Sequence, residues 1–176
     1  MFKGRIRYAT ALAGAALIVA AAGALNATGA GNTPKCFGKT ATIVTGDGDN
    51  DIEGTNGNDV IVSGDGTDTV DGKAGNDRIC SGPKFDGVAG GDGNDRINGG
   101  NNADSIDGDT GIDDQPGDGN DLIKGGKGAD RLEAQGGDDE IYGGDNNDIL
   151  DGQTGTDFCD GGPKSDNFNS CETEIE

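Results

Sequence analysis

The sequence predicts an all-β chain wound into a parallel β-solenoid of about seven 18-residue coils, with no substantial helix after its N-terminal segment. Three observations predict it. From residue 59 to residue 166 an aspartate recurs in steps of nine with one step of eight, an apolar residue nearly always follows it by two positions, and glycine usually precedes it by two. Such a fixed short period is the signature of a stacked repeat architecture.

Composition taken alone points the other way. The 176 residues include 36 Gly and 27 Asp, no His and no Trp, and carry a formal charge of -20. After residue 30 only 23 of 146 residues are Leu, Ile, Val or Phe, a level that with high charge ordinarily marks disorder. The acidity excludes nucleic acid as a partner, because that binding needs a basic surface. Cations are the expected partners.

Residues 1–30 read as a secretory signal peptide. Lys3, Arg5 and Arg7 form a basic start, Ala9 to Leu25 is an apolar, alanine-rich run, and Ala22 and Ala24 offer a small-residue cleavage site. The expected mature protein is secreted and extracellular, has no membrane segment, and carries about -23, since the removed piece holds three basic residues and no acidic one. Residues 31–44 are an expected N-terminal cap.

The array spans 45–170. Its phased positions are Asn50, Asp59, Asp68, Asp77, Asp86, Asp95, Asp104 and Asp113, then, after one step of eight, Asp121, Asp130, Asp139, Asp148, Asp157 and Asp166. Two residues on stand Ile52, Ile61, Val70, Ile79, Val88, Ile97, Ile106, Gln115, Ile123, Leu132, Ile141, Leu150, Cys159 and Phe168. The clearest copies are GGDGNDRIN from Gly90 and GGKGADRLE from Gly125. This pattern resembles the glycine-rich nonapeptide repeat of the RTX family, G-G-x-G-x-D-x-U-x with U a large apolar residue. The resemblance implies a right-handed parallel β-roll that binds Ca²⁺ between its turns.

The residues rationalise that fold. In a three-residue strand, Asp95–Ile97 or Arg96–Asn98, side chains alternate, so one apolar residue can fill the inward place. The remaining six must reverse the chain, and glycine at the first, second and fourth positions permits positive φ. Lys84 and Lys164 stand at the fourth position, where a side chain tolerates that region poorly, so these two turns are expected to be distorted. Two nonapeptides make a coil, and coils stack at about 4.8 Å. Asp59 then lies near Asp77 and Asp68 near Asp86, in two columns along opposite edges.

Stacked carboxylates repel unless a cation lies between them. With no imidazole and an all-oxygen ligand set, the ion must be hard, and Ca²⁺ suits a flexible site of carboxylates and turn carbonyls. The expected ligands are Asp59, Asp68, Asp77, Asp86, Asp95, Asp104, Asp113, Asp121, Asp130, Asp139, Asp148 and Asp157. Several ions per chain and folding on binding are expected. DGDNDIE from Asp47 is not an EF-hand: Ile52 takes the place of the required glycine and Asn58 that of the terminal glutamate.

Four cysteines in an exported chain read as two disulfides with three possible pairings. Cys36 with Cys80 and Cys159 with Cys171 is the expected pairing, each bond fastening an end segment over an exposed coil. An interruption is expected at 114–118, where Gln115 replaces the apolar residue, Pro116 follows and one residue is missing. It reads as a bulged turn in a continuous roll, with a junction of two shorter rolls as the alternative. Residues 171–176 form an expected tail.

No nucleophile, base or distinguished carboxylate pair appears, so the chain is not expected to be an enzyme. The expected function is secreted calcium binding. The alternative is an adhesion module for cell-surface or matrix glycans in which calcium is structural.

Overall fold

The computed structural model describes residues 33–109 and 117–175; the predicted signal peptide lies outside them, as do Asp113 and Gln115. The described residues form strands without a helix. A hairpin of β1 (Lys35–Cys36) and β2 (Lys39–Thr40) caps one end. Phe37 and Gly38 turn it with φ of 44° and 76°, the paired positive φ of a tight two-residue hairpin.

Two parallel sheets follow. The first stacks β3 (Ile43–Val44), β5 (Val60–Val62), β7 (Arg78–Pro83), β9 (Arg96–Asn101), β11 (Leu122–Lys127), β13 (Glu140–Asp145), β15 (Phe158–Asp160) and β17 (Thr173–Ile175). The second stacks β4 (Asp51–Glu53), β6 (Thr69–Asp71), β8 (Gly87–Ala89), β10 (Ser105–Asp107), β12 (Arg131–Glu133), β14 (Ile149–Asp151) and β16 (Asn167–Asn169). Successive strands alternate between the sheets, so each coil gives one strand to each and the chain winds through about seven coils. The register holds Ile61, Ile79, Ile97, Ile123 and Ile141 opposite one another in one sheet, and Val70, Val88, Ile106, Leu132 and Leu150 in the other. These ladders are the core, and their isoleucines and leucines are essentially fully buried.

Both ends are stapled. Cys36 bonds Cys80 and Cys159 bonds Cys171, as expected. Cys36, Ala41 and Val60 make a second small apolar cluster beneath the cap. The C-terminal tail is not a loose end: β17 pairs with β15, Phe158 opposite Thr173. The chain takes fewer residues from Phe158 to Thr173 than from Glu140 to Phe158 one level earlier. The last turn is therefore shortened, and Cys171 lies in it.

The interruption is a turn in a continuous roll, but of another kind than the residue count suggested. β10 pairs with both β8 and β12, Ile106 facing Val88 on one side and Leu132 on the other. The coil from Asp86 to Asp104 takes 18 residues, whereas the next, from Asp104 to Asp130, takes 26. Eight residues have therefore been inserted, not one lost. Gly108 keeps the first place of a turn and Gly119 and Asp121 its fourth and sixth, so the extra residues enter between Gly108 and Gly119. Asp95 consequently stacks on Asp121, whereas Asp113, which continues the phase of Asp95 in the sequence, falls within the insertion.

Glycine at the first turn position is needed for space, not for φ. Positive φ occurs at the second and fourth positions, as at Gly91 (105°) and Gly93 (112°). Side chains occupy some of these: Lys73, Gln135 and Gln153 at the second, Asn102, Asn146 and Lys84 at the fourth. Lys84 adopts φ of 84°, so its turn keeps the repeat conformation and is not distorted, its Nζ pairing with Asp65 at 3.2 Å, whereas Lys164 does not take positive φ and its turn departs from that of Gly93.

Candidate metal centre

Period two places the phased aspartate on the same face as the apolar residue two positions on, so these carboxylates flank the core instead of facing solvent. Asp68, Asp77, Asp86, Asp95 and Asp148 are at most 1% exposed. On one edge the column runs Asn50, Asp68, Asp86, Asp104, Asp130, Asp148, Asp166; on the other it runs Asp59, Asp77, Asp95, Asp121, Asp139, Asp157 and ends at Glu172.

One oxygen of each carboxylate joins two coils. Oδ1 of Asp77 accepts the backbone N–H of Asp59 at 2.7 Å, Oδ1 of Asp95 that of Asp77 at 2.7 Å, and Oδ1 of Asp139 that of Asp121 at 2.7 Å. The opposite edge repeats this from Asn50 onto Asp68 to Asp148 onto Asp166. At the last level Glu172 stands in, its Oε2 accepting from Asp157 N at 2.6 Å.

The other oxygen accepts nothing from the protein. Oδ2 of Asp68, Asp77, Asp86, Asp95, Asp104, Asp121, Asp130, Asp139, Asp148, Asp157 and Asp166 is buried with no hydrogen-bond donor. A buried unpaired carboxylate oxygen is strongly unfavourable, so its repetition at eleven positions calls for a proton or a cation at each. Eight of the eleven, those of Asp77, Asp95, Asp104, Asp121, Asp130, Asp148, Asp157 and Asp166, lie over the glycine that opens their own turn. A Cβ on Gly90 would stand 2.4 Å from Asp95 Oδ2 and 2.3 Å from the carbonyl oxygen of Gly108, one coil on. Gly125, Gly143 and Gly152 meet Asp130, Asp148 and Asp157 at 2.4, 2.5 and 2.5 Å. Carboxylate and carbonyl oxygens thus converge where the chain bears no side chain.

Burial holds these groups away from ionisation. It pushes Asp86 and Asp148 up to about 6, Asp77, Asp104 and Asp139 to about 7, Asp95 to about 8 and Asp121 to about 9. The N–H from the preceding coil partly offsets burial, and neighbouring carboxylates add to it.

The predicted ligands are therefore not equivalent. Asp59 is satisfied by the protein: Thr55 gives its Oδ2 a backbone N–H at 2.7 Å and a hydroxyl at 2.8 Å, and Thr42 Oγ1 lies 3.4 Å from Oδ1. In the turns of Asp68 and Asp86, Ser63 and Ser81 replace the first glycine, and their hydroxyls donate to the carbonyls of Ser81 and Gly99. Asp113 lies outside the described residues. Sequence reasoning passed over Asp109, which is buried with an unpartnered Oδ1; it stands off the nine-residue phase and carries no repeat signal.

Among the described residues no three carboxylate or thiolate side chains converge on a point. An ion held here is ligated by backbone carbonyls with one or two carboxylates. That hard, flexible, all-oxygen set fits Ca²⁺.

The model of the RTX calcium-binding nonapeptide repeat matches four segments, 44–79, 86–114, 116–150 and 134–166, together more than half of the chain. No curated protein and no solved structure matches.

Proposed function

The chain belongs to the RTX calcium-binding nonapeptide-repeat family, and from that premise we propose that it is a secreted protein whose roll takes up several Ca²⁺ ions between stacked turns and folds as it does so. The column of buried, donorless Oδ2 atoms carries this reading. Calcium supplies the positive charge that these atoms lack in the protein.

The chain's own groups do the rest. Asp77, Asp95, Asp104, Asp121, Asp130, Asp148 and Asp157 present Oδ2 where a first-position glycine leaves room, Asp68, Asp86 and Asp139 do so where Ser63, Ser81 and Ala134 stand instead, and the turn carbonyls complete an oxygen cradle. Oδ1 takes the N–H of the neighbouring coil, so each aspartate ties its ion site to the stacking of two coils. Uptake and winding are then one process. Two apolar side chains per coil make a thin core, each contributing about 1.5–3 kcal/mol on full burial. Ordering the backbone of a whole coil costs several times more, which is why an ion-free coil is not expected to persist. The two disulfides suit the oxidising exterior.

Calorimetry and far-UV circular dichroism across a Ca²⁺ titration test the proposal. The expected result is stoichiometric uptake of several ions together with the appearance of β structure. A spectrum unchanged by chelator, with the disulfides reduced, overturns it.

A further inference from the structure

Asp109 follows Gly108 where the extra residues enter, and it is only 1% exposed. Its placement is built. The Nε2 of Gln135 donates to its backbone carbonyl at 3.2 Å, and Gln135 reaches it from a buried position with φ of 76°. Its Oδ2 faces the N–H of Gly119 at 3.4 Å. Its Oδ1 is buried without any hydrogen-bond donor.

That oxygen shares a turn with another of its kind. Asp121 closes the turn that Gly108 opens, and a Cβ on Gly108 would stand 2.4 Å from Asp121 Oδ2, which is also donorless. The N–H that Asp109 Oδ2 faces is that of Gly119, two residues before Asp121, so both carboxylates belong to this one turn. The ion pairs among the described residues join Lys73 to Glu53, Lys84 to Asp65 and Arg131 to Glu133, so none neutralises Asp109 or Asp121.

We propose that Asp109 is a calcium ligand outside the repeat pattern, adding a second carboxylate at the level of Asp121 and making that site the tightest in the column. The inference rests on the calcium-binding reading above. Two turns carry a second buried, donorless carboxylate oxygen, Oδ1 of Asp109 beside Gly108 and Oδ1 of Asp151 beside Gly152; Asp151 is only partly buried and its other oxygen accepts from Asn169 Nδ2 at 2.8 Å, whereas Asp109 is 1% exposed. Calcium affinity rises with the number of charged ligands in a site.

Calorimetric Ca²⁺ titration of the disulfide-intact protein tests this on the wild type, Asp109→Asn and a deletion of residues 109–116. The deletion joins Gly108 to Gly117 and creates an unbroken GGDGNDLIK repeat, so it removes Asp109 while keeping the turn. The expected result is a tight class in the wild type that weakens tenfold or more in both variants, the other ions binding as before. Superimposable wild-type and D109N titrations overturn the inference, and so does a uniform weakening of every ion, which marks a structural role. A wild type that binds no calcium instead overturns the proposed function.

Discussion

The backbone N–H of Asp95 donates to Oδ1 of Asp121 at 2.8 Å, across 26 residues of sequence, where neighbouring levels of the same column are joined across 18, as in Asp77 to Asp95. The roll therefore closes over its insertion without a change of register. Residues 109–116 should be dispensable for winding. The deletion is expected to reach the same far-UV spectrum as the wild type in saturating Ca²⁺; loss of β signal there would show that the insertion holds the two halves together.

The first turn position gives a second expectation, for Gly90→Ala. An added methyl meets a carbonyl oxygen at 2.3 Å and the Asp95 carboxylate at 2.4 Å, so it fills the cradle. The calcium midpoint of folding should rise several-fold. Gly87→Ala is the control, since nothing lies within 4 Å of its Cβ, and it should fold at the wild-type midpoint. Equal midpoints for the two variants would show that the space over Gly90 holds no ion.

Asp59 and Asp95 occupy the same phase of the repeat but should respond differently. Asp95→Asn removes charge from a donorless oxygen and is expected to raise the calcium requirement and lower the ion count. Asp59→Asn acts where Thr55 already donates twice, so the ion count should stay the same. Calorimetric stoichiometry distinguishes them.

These contrasts mark what was legible in the sequence. The nine-residue phase placed the strands, the isoleucine ladders and the two columns, because period-two alternation and the two-repeat coil follow from spacing alone. The disulfide pairing was legible from the positions of the cysteines at the two ends. The insertion is hidden in the sequence because Asp113 lies nine positions after Asp104 and keeps the phase, while the true repeat is split between Gly108 and Gly119. The burial of the aspartates was already implied by the alternation, since residues two apart share a face. Capping of Asp59 by Thr42 and Thr55 was not legible: Thr42 belongs to the preceding coil and precedes the phased array.

Covalent closure should lower the calcium needed without supplying any ligand. The Cys36–Cys80 bond spans 44 residues and Cys159–Cys171 spans 12; loop closure of those lengths is worth about 4 and about 3 kcal/mol in the chain-entropy account. Cys36→Ser with Cys80→Ser is expected to shift the calcium midpoint upward with the ion count unchanged. A lower ion count in that variant would mean that the staple builds a site and does not merely hold one.

Acid should partly replace the ion. Asp77, Asp95, Asp104, Asp121 and Asp139 are raised by burial from an ordinary value of 3.8 to about 7, 8, 7, 9 and 7. A carboxylate raised on folding binds its proton more tightly in the roll than in the unfolded chain, so its contribution is fully present below about 3.8 and disappears as pH rises through the folded value. Without calcium the roll is therefore expected to be most stable near pH 4 and to unwind as pH climbs through about 6 to 9. Calcium competes with those protons, so its apparent affinity should rise over the same window. Circular dichroism of the chelated protein from pH 4 to pH 9 reads the first effect, and calorimetry at three pH values reads the second. A chelated protein that gains β structure as pH rises would contradict the burial of these carboxylates.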